Sequence, residues 1–367
     1  MLFWAEKVNG SVALLRNLTL TLGLILTVYS SVGVLSETIL KDHEQVNRVL
    51  CQFLLCNSAP LIARARDQLT PENDDNVQQA VTTFRTVLQQ DSQDPYRWAD
   101  LGDAFLEAGR KEDARYCFRQ VSELAPRTAV LLLRVADFHF QIGENQEALS
   151  ITARILGLIQ DYDSLIFSDY LSHVDTDAVL RLGLPEGSRA ARSWLRFLIK
   201  AGRLNDAQQT WDWITEHGYP DDALAGEYTE FVINQRRPEL AASAWRQYAG
   251  ARTPGYDEST YIFNGDFESD PAQSPFDWNF AQEVGLKIGR DAAIAASGKN
   301  SLRIDFDGTQ NPDIAVAWQL AYVHPGYYHF HGSYAHSSTC YCLCCYTQTT
   351  LADERDVNFM YVFVRIV

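Results

Sequence analysis

Alanine returns at a fixed interval in the middle of this chain. Ala80, Ala114 and Ala148 stand 34 residues apart. Phe84, Phe118 and Thr152 keep the same interval, and so do Val87, Val121 and Ile155, and Gly109 and Gly143. It comes back later with Ala207 and Ala241, and with Trp211 and Trp245. A period of this length marks a small supersecondary unit copied along the chain. Such a unit cannot bury its apolar face alone and must stack on its neighbours.

The clearest copy is "PYRWADLGDAFLEAGRKEDARYCFRQVSELAPRT", which starts at Pro95. Trp98, Leu101, Gly102 and Phe105 share one face of a first helix, while Ala114 and Phe118 face them from a second that Pro126 ends. Gly102 and Ala114 are small enough for two helices to approach closely, and Gly109 permits the turn between them. This copy resembles a tetratricopeptide repeat. The resemblance covers about residues 60 to 250, with Ala148, Ala207, Trp211, Ala241 and Trp245 as further repeat-defining positions. Between Ala148 and Ala207 the interval is 59, so an irregular helical segment is expected there. The resemblance implies stacked helix pairs with a groove for a protein partner. Trp98, Trp194, Trp211 and Trp245 are expected to pack in the core rather than touch a ligand.

After residue 250 the pattern changes. "ARTPGYDEST", 251–260, reads as a linker broken by Pro254 and Gly255. Then Leu302, Ile304 and Phe306 alternate with polar residues, as do Trp318, Leu320 and Tyr322, and Tyr328, Phe330 and Gly332. A period of two with Pro and Gly punctuation predicts an antiparallel β-domain. "FNGDFESDPAQSPFDWNF", "SGKNSLRI" and "HPGYYHFHGSYA" make residues 261–336 resemble a jelly-roll carbohydrate-binding module that breaks off before its usual complement of strands. The resemblance implies a β-sandwich. It nominates Trp278, Tyr327 and Tyr328 as glycan contacts, and Asp266 and Glu268 as ligands of a structural calcium. Core packing is the competing reading for Trp278 and Trp318.

Residues 18–36, "LTLTLGLILTVYSSVGVLS", carry no charge. As a helix they span about 28 Å, enough for a hydrocarbon core. Lys7 and Arg16 precede the run, which places residues 1–17 on the cytoplasmic side. A retained signal-anchor helix, a cleaved signal peptide and a buried helix are the alternatives. The first puts the body in an extracytoplasmic space, periplasmic in a Gram-negative bacterium, and the second makes it secreted. Residues 37–59 read as a helical connector. The expected fold is therefore multidomain: a transmembrane or signal helix, an α-helical repeat solenoid and a jelly-roll-like β-sandwich.

A formal charge of −16 disfavours nucleic acid as a partner. No G-x-S-x-G, H-E-x-x-H, Walker or dinucleotide-binding motif is present. His329 and His331 share a strand face as a conceivable metal pair, and Asp305 and Asp307 as a carboxylate pair, but neither has a marked third group. The expectation is a non-enzymatic, envelope-anchored scaffold without a cofactor. Its repeats would dock a protein, and its β-domain would contact polysaccharide, as in exopolysaccharide assembly or secretion. The alternative is an accessory subunit or fragment of a glycan-active enzyme.

Residues 337–367 form an atypical tail in which Cys340, Cys342, Cys344 and Cys345 crowd together. A thiolate metal site, a strained disulfide knot and a tail out of frame with the preceding domain are the three readings. The last predicts that the tail leaves a sheet edge of the β-domain open.

Overall fold

The computed structural model describes residues 58–69, 74–307 and 314–333 apart from 325 and 330, the backbone of 359–366, and seven positions between 21 and 31. The expected span at 18–36 lies largely outside the described residues. Among those described, no helix is long and apolar enough to cross a membrane. The cysteines at 51, 56 and 340–345 also lie outside them.

The chain divides into two compact units, Met1–Tyr162 and Asp163–Val367, so the expected single helical domain 60–250 falls into both. In the first unit the helices are α1 (Ala59–Asp67), α2 (Asp74–Gln90), α3 (Pro95–Glu107), α4 (Lys111–Leu124), α5 (Ala129–Gln141) and α6 (Asn145–Leu158). They form three pairs, and Ala80, Ala114 and Ala148 sit buried on the second helix of each. The local chemistry is visible in the best pair. Asp94 caps α3 by accepting from the Tyr96 N–H at 2.9 Å, with Pro95 in the first turn. Gly109 takes φ +70 at the turn into α4. A Cβ on Gly102 would lie 2.9 Å from Phe118 Cε2, so only glycine lets α3 and α4 close on that ring.

The second unit opens with the irregular segment: α7 (Asp163–His173), the short α8 (Thr176–Ala178) and a π-turn over Val179–Gly183. The period then resumes in α9 (Ser188–Lys200), α10 (Leu204–Glu216), α11 (Asp222–Asn234) and α12 (Pro238–Ala249). Trp194, Trp211 and Trp245 are buried between these helices. Each such ring contributes about 2–3 kcal/mol by leaving water. Trp211 stacks on Tyr228 of the next pair, centroids 4.6 Å apart.

Residues 251–260 are not a free linker. The chain turns at Gly250–Arg252 and folds back on the last helix pair. Phe263 meets Trp245 edge-on at 5.2 Å, giving it the aromatic neighbour that Tyr228 gives Trp211. A Cβ on Gly226 would stand 2.7 Å from the Gln273 carbonyl oxygen, so a glycine in the middle of α11 admits the loop's backbone. The segment from Thr253 to Trp278 thus covers the apolar end of the stack, as repeat arrays require.

The described strands make a smaller arrangement than the expected jelly roll. Among the described residues there are five strands: β1 (Asn279–Phe280), β2 (Leu286–Asp291), β3 (Ser301–Phe306), β4 (Ile314–Tyr322) and β5 (Phe359–Ile366). They form a three-stranded sheet in the order β1–β4–β5 and a separate β2–β3 hairpin, all antiparallel. The described residues between 324 and 333 form no strand, contrary to the alternation expected there. The tail corrects a second expectation. Its end pairs with β4 from Ile314↔Ile366 to Tyr322↔Phe359, so that edge of β4 is closed. The apolar run "FMYVFVRI" has the β-propensity to do this. Gln319, overlooked in the sequence, is buried in β4 and pairs its side-chain amide with both the N–H and the C=O of Phe263, each at 3.0 Å.

Candidate functional site: the face of the first helices

In the first unit, α1, α3 and α5 are the first helices of their pairs. Arg66, Asp100 and Arg134 occupy one position on them, each 34 residues from the next. Asp100 is only 3% exposed and receives both cations. Arg66 donates from Nη2 to Oδ2 at 2.8 Å and from Nε to Oδ1 at 3.2 Å. Arg134 donates from Nη2 to Oδ1 at 3.0 Å, and the same nitrogen reaches Asp103. Burial works against the charge on Arg134, but Asp103 and Asp100 outweigh it and hold the guanidinium more firmly protonated. Asp103 goes the other way. Desolvation pushes its carboxyl above the usual range, against the pull of Arg134 and with the help of Asp100 and Asp137.

One helical turn before two of these charges, Asp100 and Arg134, stands an exposed apolar residue. Tyr96 is 47% exposed on α3 and Val130 is 44% exposed on α5, again 34 residues apart. Residues four apart share a helix face. Tyr96 with Asp100 and Val130 with Arg134 therefore form an apolar row beside a charged one, crossing two successive helices. This arrangement can bind an extended segment by burying its apolar side chains on Tyr96 and Val130, beside ion pairs that hold the helices in register. It holds no acid–base pair or nucleophile. The interval that revealed the core alanines also carried this face, but its meaning depended on knowing which positions stay exposed.

The repeat-defining residues lie elsewhere. Leu101, Gly102, Phe105, Ala114, Phe118, Ala148, Ala207, Trp211, Ala241 and Trp245 are buried core. Trp98 is half-buried, donating from Nε1 to the Ser92 carbonyl at 2.8 Å with Tyr116 edge-on at 5.7 Å. Pro126 follows the end of α4.

The residues nominated for glycan do not assemble. Trp278 is buried, stacked on Phe267 and bonded through Nε1 to the Asn264 carbonyl at 3.0 Å, so it has no face for a sugar. Tyr328 packs edge-on against Tyr261 at 5.4 Å. Tyr327 is fully exposed. Glu268 is turned to a neighbouring turn, accepting from the N–H groups of Lys299 at 2.5 Å and Asn300 at 2.9 Å. Those bonds hold its carboxyl below the usual range. Asp266 accepts weakly from the Glu268 N–H at 3.4 Å. Among the described residues, no group of three His, Cys, Asp or Glu side chains is arranged to hold a metal ion. His329 and His331 stack at 6.3 Å outside any strand.

No family model matches the chain and no curated protein matches it. Several solved structures are similar to part of the chain. PilF of Pseudomonas aeruginosa is 19% identical over 55% of this chain and 94% of its own, with a TM-score of 0.29. A tetratricopeptide repeat protein from Parabacteroides merdae is 12% identical over 57% and 84%, TM-score 0.29. YrrB, described as a TPR protein with an unusual peptide-binding site, is 14% identical over 55% and 90%, TM-score 0.26. At such scores none of them carries an argument about this chain. The tetratricopeptide-like reading rests on its own helix pairs and their 34-residue interval.

Proposed function

We propose that this protein is a scaffold that docks a protein partner through the first helices of its repeats. The observation that carries the reading is the pairing of Tyr96 and Val130 with Asp100 and Arg134 on equivalent positions of α3 and α5. Exposed apolar residues repeated in register beside charges serve recognition better than solubility. A display of random peptides selected on the full chain tests it. Peptides should be recovered whose binding is lost in Tyr96→Asp and Val130→Asp and kept in Tyr327→Ala. Binding that ignores both face variants would remove the proposal.

The uncharged run at 18–36 supports anchoring in an envelope, with the repeats on the extracytoplasmic side. Protease protection of the repeats in intact cells tests this, and digestion from the cytoplasmic side alone would count against it. For polysaccharide contact, the exposed ring of Tyr327 is what remains in support, and no cofactor is invoked. Glycan-array binding that Tyr327→Ala leaves unchanged would end that part.

A further inference from the structure

The first unit contains its own internal control. One slot lies between α2, α3 and α4, and the next between α4, α5 and α6, built from residues 34 positions further on. In the first slot Val81, Leu88 and Phe105 are buried and fill the space. In the second the same three positions hold Arg115, Ser122 and His139. The floor is kept, with Phe118 in place of Phe84 and Val135 in place of Leu101, all buried. An open cleft of 390 Å³ results.

The new polar groups restrain each other. Glu144 lies 2.8 Å from His139 Nδ1 and 2.5 Å from Arg115 Nη2. His139 is thus held to one wall and does not fill the slot as Phe105 does. Two charges on the rim, Arg119 and Glu147, are exposed and take part in no ion pair among the described residues. In the filled slot two guanidinium groups lie over the Phe105 ring, Arg110 at 4.6 Å and Arg85 at 5.1 Å, and their counterparts in the open slot are Glu144 and Arg119. The open slot has kept one of the two guanidinium groups and lost the ring, and a cleft of this size with an apolar floor is of ligand-binding dimensions.

We infer that the cleft between α4, α5 and α6 receives an aromatic side chain from a partner protein, covered by Arg119 as Arg85 covers Phe105, with a basic neighbour of that side chain facing Glu147. A cation over a ring is a favourable contact, and a basic segment complements a chain of charge −16. This site is separate from the Tyr96 and Val130 face.

Titration of the full chain with acetyl-Phe-Lys-amide, followed by ligand NMR, tests the inference. Saturable binding is expected at millimolar concentration, with acetyl-Ala-Lys-amide and acetyl-Phe-Glu-amide each about tenfold weaker. Ser122→Leu and His139→Phe write the filled slot into the open one. They should keep or raise the thermal midpoint and weaken the Phe-Lys peptide about tenfold. Arg119→Gln, a surface change, should weaken it several-fold without touching the fold. Absence of saturable binding, equal binding of the Ala peptide, or unchanged binding in both filled variants would overturn the site. Tyr96→Asp should leave this binding unaltered, and its loss there would merge the two surfaces and also overturn the inference.

Discussion

Asp100 and Arg134 hold the same position in successive repeats, and their side chains meet at 3.0 Å, with Arg66 completing the row from the other side. Repeats stacked in register bring equivalent positions together, so alternating charge at one position becomes a bond between units. Asp100→Ala leaves two guanidinium groups facing each other around a buried site. Because Arg66 is half-exposed, the loss should be about 1–3 kcal/mol, less than for a fully buried pair. Chemical denaturation measures it, and a change under about 0.5 kcal/mol would show the ladder to be incidental.

Gly102 and Gly109 are needed for different reasons, and alanine separates them. Gly102→Ala drives a methyl into Phe118 and should cost about 1–3 kcal/mol. Gly109→Ala has open space but a left-handed backbone, and should cost about 1–2 kcal/mol. Filling the contact further with Gly102→Val should worsen only the first. Denaturant midpoints compare all three.

Arg236, at φ +58, stands at the turn between α11 and α12 where Gly202 stands one repeat earlier with φ +70. Arg236→Gly relieves a strained side chain and should stabilise the second unit by about 0.5–1 kcal/mol net of glycine's greater freedom when unfolded. A lower melting midpoint would contradict this.

The cover on the last helix pair should be energetically coupled to it. Phe263→Ala takes the ring from Trp245 and should cost about 3–4 kcal/mol. Gly226→Ala meets the Gln273 carbonyl oxygen and should expose residues 253–278 to protease without unfolding the first unit. Cleavage in that segment at the wild-type rate would refute the coupling.

Two carboxylates should respond to pH with opposite sign. Burial disfavours ionised Glu144, but bonds from His139 and Arg115 prevail and depress its folded pKa. Its contribution is present above the unfolded value and lost as pH falls through the folded one. Glu144→Gln should therefore melt below wild type near pH 7 and converge with it as pH falls through the depressed folded value. Asp103 has a raised folded pKa through desolvation, so its ionised form costs stability as pH rises. Asp103→Asn should match or exceed wild type at neutrality and lose that margin in acid. Melting midpoints at neutral and acid pH decide both signs.

The helical half was legible because its signal is periodic. Ala80, Ala114 and Ala148 recur at the interval of the helix pair, and a small residue at a close helix crossing has few substitutes. The candidate face was present in the same period but unreadable, since Tyr96 and Val130 look like core residues until the packing leaves them exposed. The β region misled more. Alternation at 302–306 and 318–322 marked real strands, but which strands pair depends on contacts far apart in the chain.

From its sequence alone the chain is determined to be a helical stack through its middle, with strands after residue 250, because local periodicity dictates which face of each element must leave water. Only the tertiary structure decided that Phe263 would take the place of a missing repeat beside Trp245, that Phe359–Ile366 would close the edge of β4, and that one slot of two would stay open. Those outcomes depend on which distant groups fit a given gap in volume and hydrogen bonding, and that information is shared between segments rather than held in any one of them.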